Sequence, residues 1–371
     1  MALKAVHVSD VPSLDQVPES PVLSLSSPRL PNGAEIGRKA ERFLVIGHRG
    51  KGMNALASQD RRLKAVKENS ILSFNMAGRF PIDFVEFDVQ VTRDDCPILF
   101  HDDFILTEEN NHTSEKRVTD LTLEEFLSYG PQREPGKIGK PLFRKTKDGR
   151  VFKWNVELDD SFCTLAETFQ KVDSHLGFNI ELKFDDNIIY SEDHLTHVLQ
   201  VILRVVFQFA GDRPIIFSSF QPDAAQIIRK LQNVYPVFFL TNGGTQTYTD
   251  VRRNSLEEAL NLCLSNGLQG IVSEVRAIFR NPTIVPRIKE SNLTLLTYGQ
   301  LNNVPEAVYM QHLMGVNGVI VDLVQEITEA VLDFSNSLDE VKEKEKGETR
   351  PNFSQRELAF LLKLIPELIQ Q

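Results

Sequence analysis

The chain has 371 residues, 41% of them hydrophobic, which is enough for the core of one large domain or two ordinary ones. Lys and Arg number 41 against 51 Asp and Glu, and the resulting formal charge of −10 argues against a nucleic acid or an anionic membrane as the main partner. An anionic substrate would therefore need a local positive site. Three scattered cysteines indicate neither a disulfide framework nor a thiolate zinc site. This cysteine usage is typical of a reducing intracellular compartment. No apolar run approaches the roughly 20 residues that span a bilayer, so we expect a soluble protein without stable membrane insertion.

Residues 1–40 are rich in Ser and Pro and carry no sustained hydrophobic period, which predicts a flexible N-terminal extension. A Ser-rich start is typical of a plastid transit segment, whereas the acidic residues that this one contains are unusual there. The extension therefore leaves two locations open, the plastid (chloroplast) and the cytoplasm.

From residue 43 onward, short apolar runs alternate with amphipathic patterns, which predicts repeated βα units around a parallel sheet. The eight candidate strands are 43–48, 84–89, 178–183, 214–219, 237–241, 270–274, 293–298 and 318–322. Candidate helices between them are 223–232, 255–265 and 305–313. Eight units predict an α/β fold of the (β/α)₈ TIM-barrel class. A doubly wound sheet is the alternative, without a dinucleotide site because no G-x-G-x-x-G follows a strand.

Two segments interrupt or follow this alternation. Residues 102–160 are too long for an ordinary connection and are rich in Gly, Pro and charge, which predicts an insertion on the barrel rim after the second strand. The barrel domain would then cover residues 41–336. Beyond it, the charged run 337–352 predicts a linker, and residues 353–371 have the spacing of an amphipathic C-terminal helix. We expect this helix to pack on the barrel or on a second copy of the chain in a homo-oligomer.

Polar residues collect at the predicted carboxyl ends of the first three strands, where a parallel barrel carries its chemistry. In chain order they are His48, Arg49, Glu86, Asp88, Glu181 and Lys183. Residues two apart on a strand share one face, and here that face points into the barrel. The first three strands therefore predict a polar site at the barrel mouth.

Three of these residues, Glu86, Asp88 and Glu181, predict a metal site. Both faces of a barrel strand are covered, so three inward carboxylates would repel one another and lose hydration unless a cation compensates. Ligation by oxygen alone favours Mg²⁺, with Ca²⁺ as the alternative, over zinc. Pairing with Arg49 and Lys183 alone would leave three acids facing two bases. Beside a bound cation, these two bases would neutralise the oxygens of a phosphate.

The residues after the second strand predict a hairpin that brings in a second histidine. With Thr92 opposite Pro97, Asp88 would lie opposite His101. His48 reaches the same mouth from the first strand. Two imidazoles beside a metal-held anion can serve as general base and general acid.

Ordered motifs around these residues resemble those of the glycerophosphodiester phosphodiesterase family, and within it the soluble plant type. The motifs are GHRG (47–50), KENS (67–70) for the family's P-E-N-T, EFDVQVTRDDCPILFHDD (86–103), DLTLEEF (120–126), CTLAETF (163–169), NIELK (179–183), FSSF (217–220) and GVIVD (318–322). In the hairpin turn the family commonly has D-G, where this chain has Asp94 and Asp95, so an Asp would hold a left-handed backbone position. The resemblance implies a TIM barrel with an insertion after the second strand.

The resemblance also implies roles for individual residues. They are metal ligation by Glu86, Asp88 and Glu181, acid/base catalysis by His48 and His101, and phosphate binding by Arg49 and Lys183. Glu68 would be a metal ligand or would lie directly behind the ligands. Near the seventh strand the family often has W-T-V-N, with an aromatic residue that lines the substrate pocket. This chain departs from that motif with LLTYGQLNN and offers Tyr298 as the pocket residue, so its head-group preference would differ.

The reaction implied by the resemblance is the metal-dependent hydrolysis of a small glycerophosphodiester, such as glycerophosphocholine or glycerophosphoethanolamine. Its products are sn-glycerol 3-phosphate and an alcohol, as in glycerol and phospholipid metabolism and in phosphate recycling. The attacking oxygen, from water or from the neighbouring glycerol hydroxyl, stays open. Two alternatives also stay open, a barrel phospholipase acting on a membrane lipid phosphodiester and a barrel that binds phosphodiesters without catalysis.

Overall fold

The computed structural model describes residues 42–109, 112–146 and 148–333. The strands described there are β1 (Leu44–Gly47), β2 (Phe84–Val91), β3 (Pro97–Leu99), β4 (Phe104–Glu109), β5 (His112–Arg117), β6 (Phe143–Lys145), β7 (Val151–Lys153), β8 (Gly177–Leu182), β9 (Ile215–Ser219), β10 (Val237–Thr241), β11 (Gly270–Glu274), β12 (Thr294–Tyr298) and β13 (Gly318–Val321). Eight of them pair in parallel in the order β1-β13-β12-β11-β10-β9-β8-β2, and β2 pairs with β1 to close a barrel. The predicted (β/α)₈ fold is confirmed, and all eight predicted strands overlap the observed ones.

Helices surround this barrel. Those that the structure describes with both ends are α1 (Ile71–Ala77), α2 (Leu123–Leu127), α3 (Leu165–Lys171), α4 (Glu192–Phe209), α5 (Pro222–Leu231), α6 (Leu256–Asn266), α7 (Val275–Arg280), α8 (Ile284–Glu290) and α9 (Pro305–Met314). A further helix follows β13 from residue 324 up to residue 333. The predicted helices at 223–232, 255–265 and 305–313 are α5, α6 and α9.

Serine side chains begin several of these helices. Ser70, Ser191 and Ser255 precede α1, α4 and α6, and each accepts a hydrogen bond from the backbone amide three residues further along. Such a cap satisfies one of the amides that the first helical turn leaves without a carbonyl partner. Helix α6 ends at Gly267, whose left-handed backbone (φ +62°) stops the helix. Local sequence therefore fixes where the helices begin, and the apolar faces decide how they pack.

The barrel interior is apolar below its mouth. Its filling side chains are Ile46, Ile216, Phe238, Leu240, Val272, Leu296 and Ile320. A larger apolar layer, which includes Phe87 and Val89 of β2, lies between the strands and the helices. Because Phe87 faces this outer layer, Glu86 and Asp88 point inward, as the alternation predicted. Polar groups thus meet at the carboxyl ends of the strands.

The segment between β3 and α3 folds into a second structure, the insertion sheet, which consists of antiparallel strands in the order β5-β4-β6-β7. It has a core of its own with Phe100, Phe126, Trp154 and Phe162, and the rings of Phe126 and Phe162 stack at 4.6 Å. The insertion sheet lies where the sequence predicted a rim insertion after the second strand.

The hairpin formed by β2 and β3 differs by one residue from the predicted register. Val91, not Thr92, lies opposite Pro97. The Thr92 amide donates to the Cys96 carbonyl at 3.0 Å, so the turn contains three residues, and Asp95 takes its left-handed position at φ +58°. An aspartate can hold such a position at the end of a short turn.

This register moves the partner of Asp88 by one residue. The Asp88 carbonyl accepts a hydrogen bond from the Phe100 amide at 3.1 Å, so the prediction that Asp88 lies directly opposite His101 is wrong. The following residues still turn back to the mouth, because the buried Gln90 amide donates to the carbonyls of Phe100 (2.8 Å) and Asp102 (3.0 Å). The side-chain amide of Gln90 thereby holds the segment that carries His101.

The predicted N-terminal extension (1–40), linker (337–352) and C-terminal helix (353–371) lie outside the described residues, and so does the expected contact of that helix with a second copy. Among the helices of the described part of the chain, none combines the length and the apolar character needed to cross a bilayer.

Candidate active site

Three carboxylates form the centre of the barrel mouth. Glu86 and Asp88 come from β2, and Glu181 lies directly beside Asp88 in the neighbouring strand β8. One oxygen from each carboxylate lies within 4.8 Å of the others. Residues two apart on β2 share one face of the sheet, and the residue beside Asp88 on β8 shares that face too. The three side chains therefore lie together, as the sequence predicted. We call these three residues the acidic cluster.

Burial and mutual repulsion shift the protonation of the acidic cluster. Burial, followed by the charge of Asp88, raises the pKa of Glu86 to about 8, and burial also raises the pKa of Glu181. Burial would raise the pKa of Asp88 as well, but Arg49 and Lys183 hold it below its ordinary value. The cluster therefore carries more carboxyl groups than its basic neighbours neutralise.

The acidic cluster fits a hard divalent cation. Asp88 Oδ1 is fully buried and accepts no hydrogen bond within the described residues, so it keeps a free ligand atom. Carboxylate oxygens are the ligands that Mg²⁺ and Ca²⁺ prefer. A cation there would displace the proton that Glu86 otherwise retains.

Two basic side chains flank the acidic cluster. Arg49 Nε lies 3.2 Å from Asp88 Oδ2, and the Arg49 backbone amide donates to Glu86 Oε2 at 2.9 Å. Lys183 Nζ lies 3.2 Å from Glu181 Oε1 and 3.9 Å from Asp88 Oδ1. Both positive charges therefore lie beside the acidic cluster.

His48 lies at the end of β1 and is oriented by Asp322, which follows the neighbouring strand β13. His48 Nδ1 lies 2.7 Å from Asp322 Oδ1, and Nε2 lies 4.0 Å from Glu86 Oε2. Burial alone would lower the pKa of His48, but the Asp322 and Glu86 carboxylates raise it above the ordinary value. Asp322 thus directs Nε2 toward the acidic cluster and favours the charged imidazole.

His101 is also paired with a carboxylate, but its pKa is shifted in the opposite direction. Its Nδ1 lies 2.7 Å from Asp102 Oδ1, which leaves Nε2 as the nitrogen available to a substrate. Burial, together with the charges of Arg49 and Lys183, lowers the pKa of His101 to about 4. The pKa values of the two histidines are therefore shifted in opposite directions.

Glu68 lies behind Arg49 and is not part of the acidic cluster. Its carboxylate accepts hydrogen bonds from Arg49 Nη1 at 2.9 Å and from Arg144 Nη2 at 2.7 Å. With an arginine bound on each side, its oxygens are already used. These contacts support the second of its two predicted roles, the residue behind the ligands.

Tyr298 lies at the carboxyl end of β12, on the far side of the mouth from the hairpin. Its hydroxyl donates to Asn242 Oδ1 at 2.5 Å, and its ring meets that of Phe220 edge to face at 5.9 Å. Burial, followed by the charges of Glu274 and Glu181, raises the pKa of Tyr298 well above its ordinary value. The ring is therefore a neutral, fixed wall near the acidic cluster.

Several functional residues received no role from the sequence. Asn69 Nδ2 donates to Asp88 Oδ2 at 2.9 Å, and Asp102 and Asp322 orient the histidines. Asn69, Asp102 and Asp322 lie inside the quoted motifs, and for Asp322 the end of an apolar strand was a usable signal. Arg144 gave no signal, because it lies in a charged stretch of the insertion where one arginine resembles the next.

Comparisons with known proteins agree on one family. The family model described as the glycerophosphoryl diester phosphodiesterase family matches residues 48–326, which is more than half of the chain. The chloroplastic glycerophosphodiester phosphodiesterase GDPD1 of Arabidopsis thaliana is 62% identical over 371 residues, covering 100% of both chains. The glycerophosphocholine phosphodiesterase gde1 of Schizosaccharomyces pombe is 32% identical over 81% of this chain and 29% of its own length.

Solved structures agree on the fold. A phosphodiesterase of Oleispira antarctica, solved in complex with the product sn-glycerol 3-phosphate, matches 78% of this chain and 96% of its own with a TM-score of 0.54 at 19% identity. The acidic cluster, the two basic side chains and the two histidines paired with carboxylates form a site that can hydrolyse a phosphodiester. The chain belongs to the glycerophosphoryl diester phosphodiesterase family.

Proposed function

We propose that the protein hydrolyses glycerophosphodiesters to sn-glycerol 3-phosphate and an alcohol with a divalent cation, Mg²⁺, in the acidic cluster. The observation that carries this proposal is the convergence of the acidic cluster with His48 and His101, each paired through Nδ1 with a carboxylate. Family membership supports the reaction class, and the geometry supports the roles of the residues.

Glu86, Asp88 and Glu181 would hold the cation, which supplies positive charge at the phosphoryl oxygens and thereby stabilises the transition state. Mg²⁺ is our choice because all the offered ligands are oxygens and the cluster supplies only three side chains, leaving room for water and substrate oxygens. Arg49 and Lys183 neutralise the remaining phosphate charge.

The histidines move the protons. His101, kept neutral by its lowered pKa, accepts at Nε2 the proton of the attacking oxygen, which belongs to water or to the neighbouring glycerol hydroxyl. Attack by the glycerol hydroxyl would first give a cyclic phosphate, which water then opens to sn-glycerol 3-phosphate. His48, whose pKa is raised by Asp322, donates the Nε2 proton to the oxygen of the departing alcohol. The carboxylates at both Nδ1 atoms fix the tautomers and stabilise the imidazolium form. Groups whose environments push their pKa values apart are suited to opposite acid/base roles.

The names of relatives support a choice of head group and of location. Fungal relatives about one-third identical are named glycerophosphocholine phosphodiesterases, so choline is our first choice of head group, with Tyr298 as a wall of its pocket. GDPD1 of Arabidopsis thaliana is named chloroplastic, and full-length similarity to it supports a plastid location for this chain. A fusion of residues 1–40 to a fluorescent protein that stays in the cytoplasm would contradict that location.

The test of the proposed function is release of sn-glycerol 3-phosphate from glycerophosphocholine with Mg²⁺, with Ca²⁺ or with a chelator. We expect Glu86→Ala and His101→Ala each to lower turnover by at least about a thousandfold, since each removes a cation ligand or a proton acceptor. His197→Ala removes an exposed histidine that pairs with Asp95, and it should leave turnover unchanged.

Circular dichroism and thermal unfolding should show all three variants folded. Metal-independent product, or full activity of either site variant, contradicts the proposal. Phospholipid vesicles offered in the same assay test the phospholipase alternative, and substrate binding without product would identify the barrel that binds without catalysis.

A further inference from the structure

Arg144 of β6 places a guanidinium from the insertion sheet inside the barrel site. Nε and Nη2 donate to the Asp102 carboxylate at 2.8 and 3.0 Å, and Nη2 and Nη1 donate to the Glu68 carboxylate at 2.7 and 3.0 Å. Nη1 also donates to the Asn54 carbonyl at 3.1 Å. A guanidinium has five N–H donors, and all five are used here, so none is left for a substrate.

The two acids held by Arg144 are the partners of two proposed active-site residues. Glu68 binds Arg49, which would hold the phosphate, and Asp102 binds His101, which would accept the proton. Glu68 is 4% exposed and the Arg144 side chain 11% exposed. Glu68 is buried, so losing the guanidinium would leave its carboxylate short of hydrogen-bond donors, which is costly enough to move the side chain. Asp102, whose side chain is 30% exposed, would lose both of its hydrogen bonds from Arg144 and with them its fixed orientation.

We propose that Arg144 is a positioning residue, through which the insertion sheet fixes the phosphate-binding Arg49 and the acid/base His101 relative to each other by way of Glu68 and Asp102. This inference rests on the proposed function of Arg49 and His101. The insertion sheet would then contribute to catalysis by supplying the guanidinium that binds the carboxylates of Glu68 and Asp102 at once.

Trp154, the single tryptophan of the chain, makes this connection measurable. Arg144 Cζ lies 3.9 Å and Lys67 Nζ 3.8 Å from the centre of the Trp154 ring, and Trp154 Nε1 donates to Asn54 Oδ1 at 2.9 Å. A cation over an indole ring interacts with its π electrons. A phosphate bound to Arg49 would compete with Glu68 for the Arg49 guanidinium. Because Arg144 binds the same carboxylate, we expect its position over Trp154, and with it the Trp154 emission, to change.

The kinetic test compares Arg144→Met and Arg144→Lys with Arg150→Met. Arg150 lies in the same insertion, exposed and also over an aromatic ring, Phe152, at 5.6 Å, so it is a matched control. We expect Arg144→Met to lower kcat about ten- to a hundredfold, as loss of a residue that orients another does, and Arg150→Met to change nothing. Arg144→Lys should not restore kcat, because an ammonium cannot bind two carboxylates bidentately.

A double-variant comparison tests the route through Asp102. If Arg144 acts through Asp102, the loss in kcat for Arg144→Met with Asp102→Asn is smaller than the product of the two single losses. Losses that multiply, or an Arg144→Met variant with the kcat of Arg150→Met, overturn the proposal. Arg144→Lys keeps the test valid where Arg144→Met does not fold.

The spectroscopic test is a titration of Trp154 fluorescence with inorganic phosphate in the presence of Mg²⁺. We expect the emission to change in the unaltered protein and in Arg150→Met, and to stay constant in Arg144→Met. An unaltered protein that hydrolyses substrate without any emission change overturns the proposal. If it releases no sn-glycerol 3-phosphate, the proposed function fails, whereas the titration alone still decides whether Arg144 links the phosphate site to the insertion sheet.

Discussion

Glu86 shows how the strand pattern prepares a single residue for a cation. Its side chain is buried beside Asp88, and burial followed by that neighbouring charge raises its pKa to about 8. The unfolded chain gives a glutamate its ordinary pKa of about 4.3. Between these two values the folded chain holds a proton that the unfolded chain has lost. Raising the pH through this range therefore removes stability from the metal-free protein.

Mg²⁺ should reverse this trend, since binding to Glu86 requires the ionised carboxylate. Protein stabilisation by Mg²⁺ should therefore be several degrees of Tm larger at about pH 8 than at about pH 6. Thermal unfolding with Mg²⁺ and with chelator, at both pH values, measures the difference. Glu86→Gln has neither a proton to release nor a charged oxygen to bind Mg²⁺, so the gain in Tm with Mg²⁺ should be small at both pH values. An equal gain in Tm for the unaltered protein at both would argue against the cation site.

At the scale of the element, the loop between β1 and α1 carries His48 and Arg49 and depends on a close approach of its backbone to α1. Gly50 has φ +92°, and a Cβ there would lie 2.5 Å from Ser73 Oγ and 2.9 Å from the Phe74 ring. Gly149, in the turn between β6 and β7, has φ +84° with no atom within 4 Å of such a Cβ. The two glycines share the backbone requirement and differ in the space around them.

Gly50→Ala and Gly149→Ala separate these two effects. A left-handed alanine costs about 1–2 kcal/mol at either position. Overpacking against α1 adds about 1–3 kcal/mol at Gly50 only. We expect urea unfolding to show a loss of about 3 kcal/mol for Gly50→Ala, with reduced activity because His48 moves, and about 1 kcal/mol with full activity for Gly149→Ala. Equal losses would mean that the loop does not depend on contact with α1.

For the β2–β3 hairpin, the sequence predicted the direction of the side chains but not the pairing of the two strands. Alternation along β2 predicted which side chains point inward, because the period of a strand leaves no choice. The register of β3 was missed by one residue, since the turn adopts a three-residue form with Asp95 in a left-handed position that glycine usually holds. Turn length depends on backbone geometry that composition does not state. His101 lies at the site because Gln90 donates hydrogen bonds to the carbonyls of the residues on either side of it.

At the scale of the whole molecule, barrel closure creates contacts that local patterns cannot show. His48 and Asp322 are 274 residues apart, yet β1 and β13 are adjacent strands and their ends meet. Eight strand patterns predicted the barrel, and the barrel rule placed the chemistry at the carboxyl ends. The partner of each histidine depended instead on which strands are neighbours, and Arg144 on how the insertion sheet folds back over the mouth.

The net charge of −10 makes a prediction for the whole molecule. A glycerophosphodiester with an uncharged alcohol head group, such as glycerophosphoglycerol, is an anion, whereas glycerophosphocholine is a zwitterion. The electric field of the acidic chain repels the anion at 0.01 M salt, where the Debye length is about 30 Å. This repulsion is much weaker at 0.15 M salt, where the Debye length is about 8 Å.

Salt should therefore raise kcat/KM for glycerophosphoglycerol by about twofold relative to glycerophosphocholine over this range. Initial rates for both substrates, at saturating Mg²⁺ in the two salt concentrations, measure the ratio. The close pairing of Arg49 and Lys183 with the acidic cluster limits their reach into solvent, so the overall field should dominate the approach of the substrate. A ratio that falls with salt would instead show that these two cations steer the anion over the negative surface.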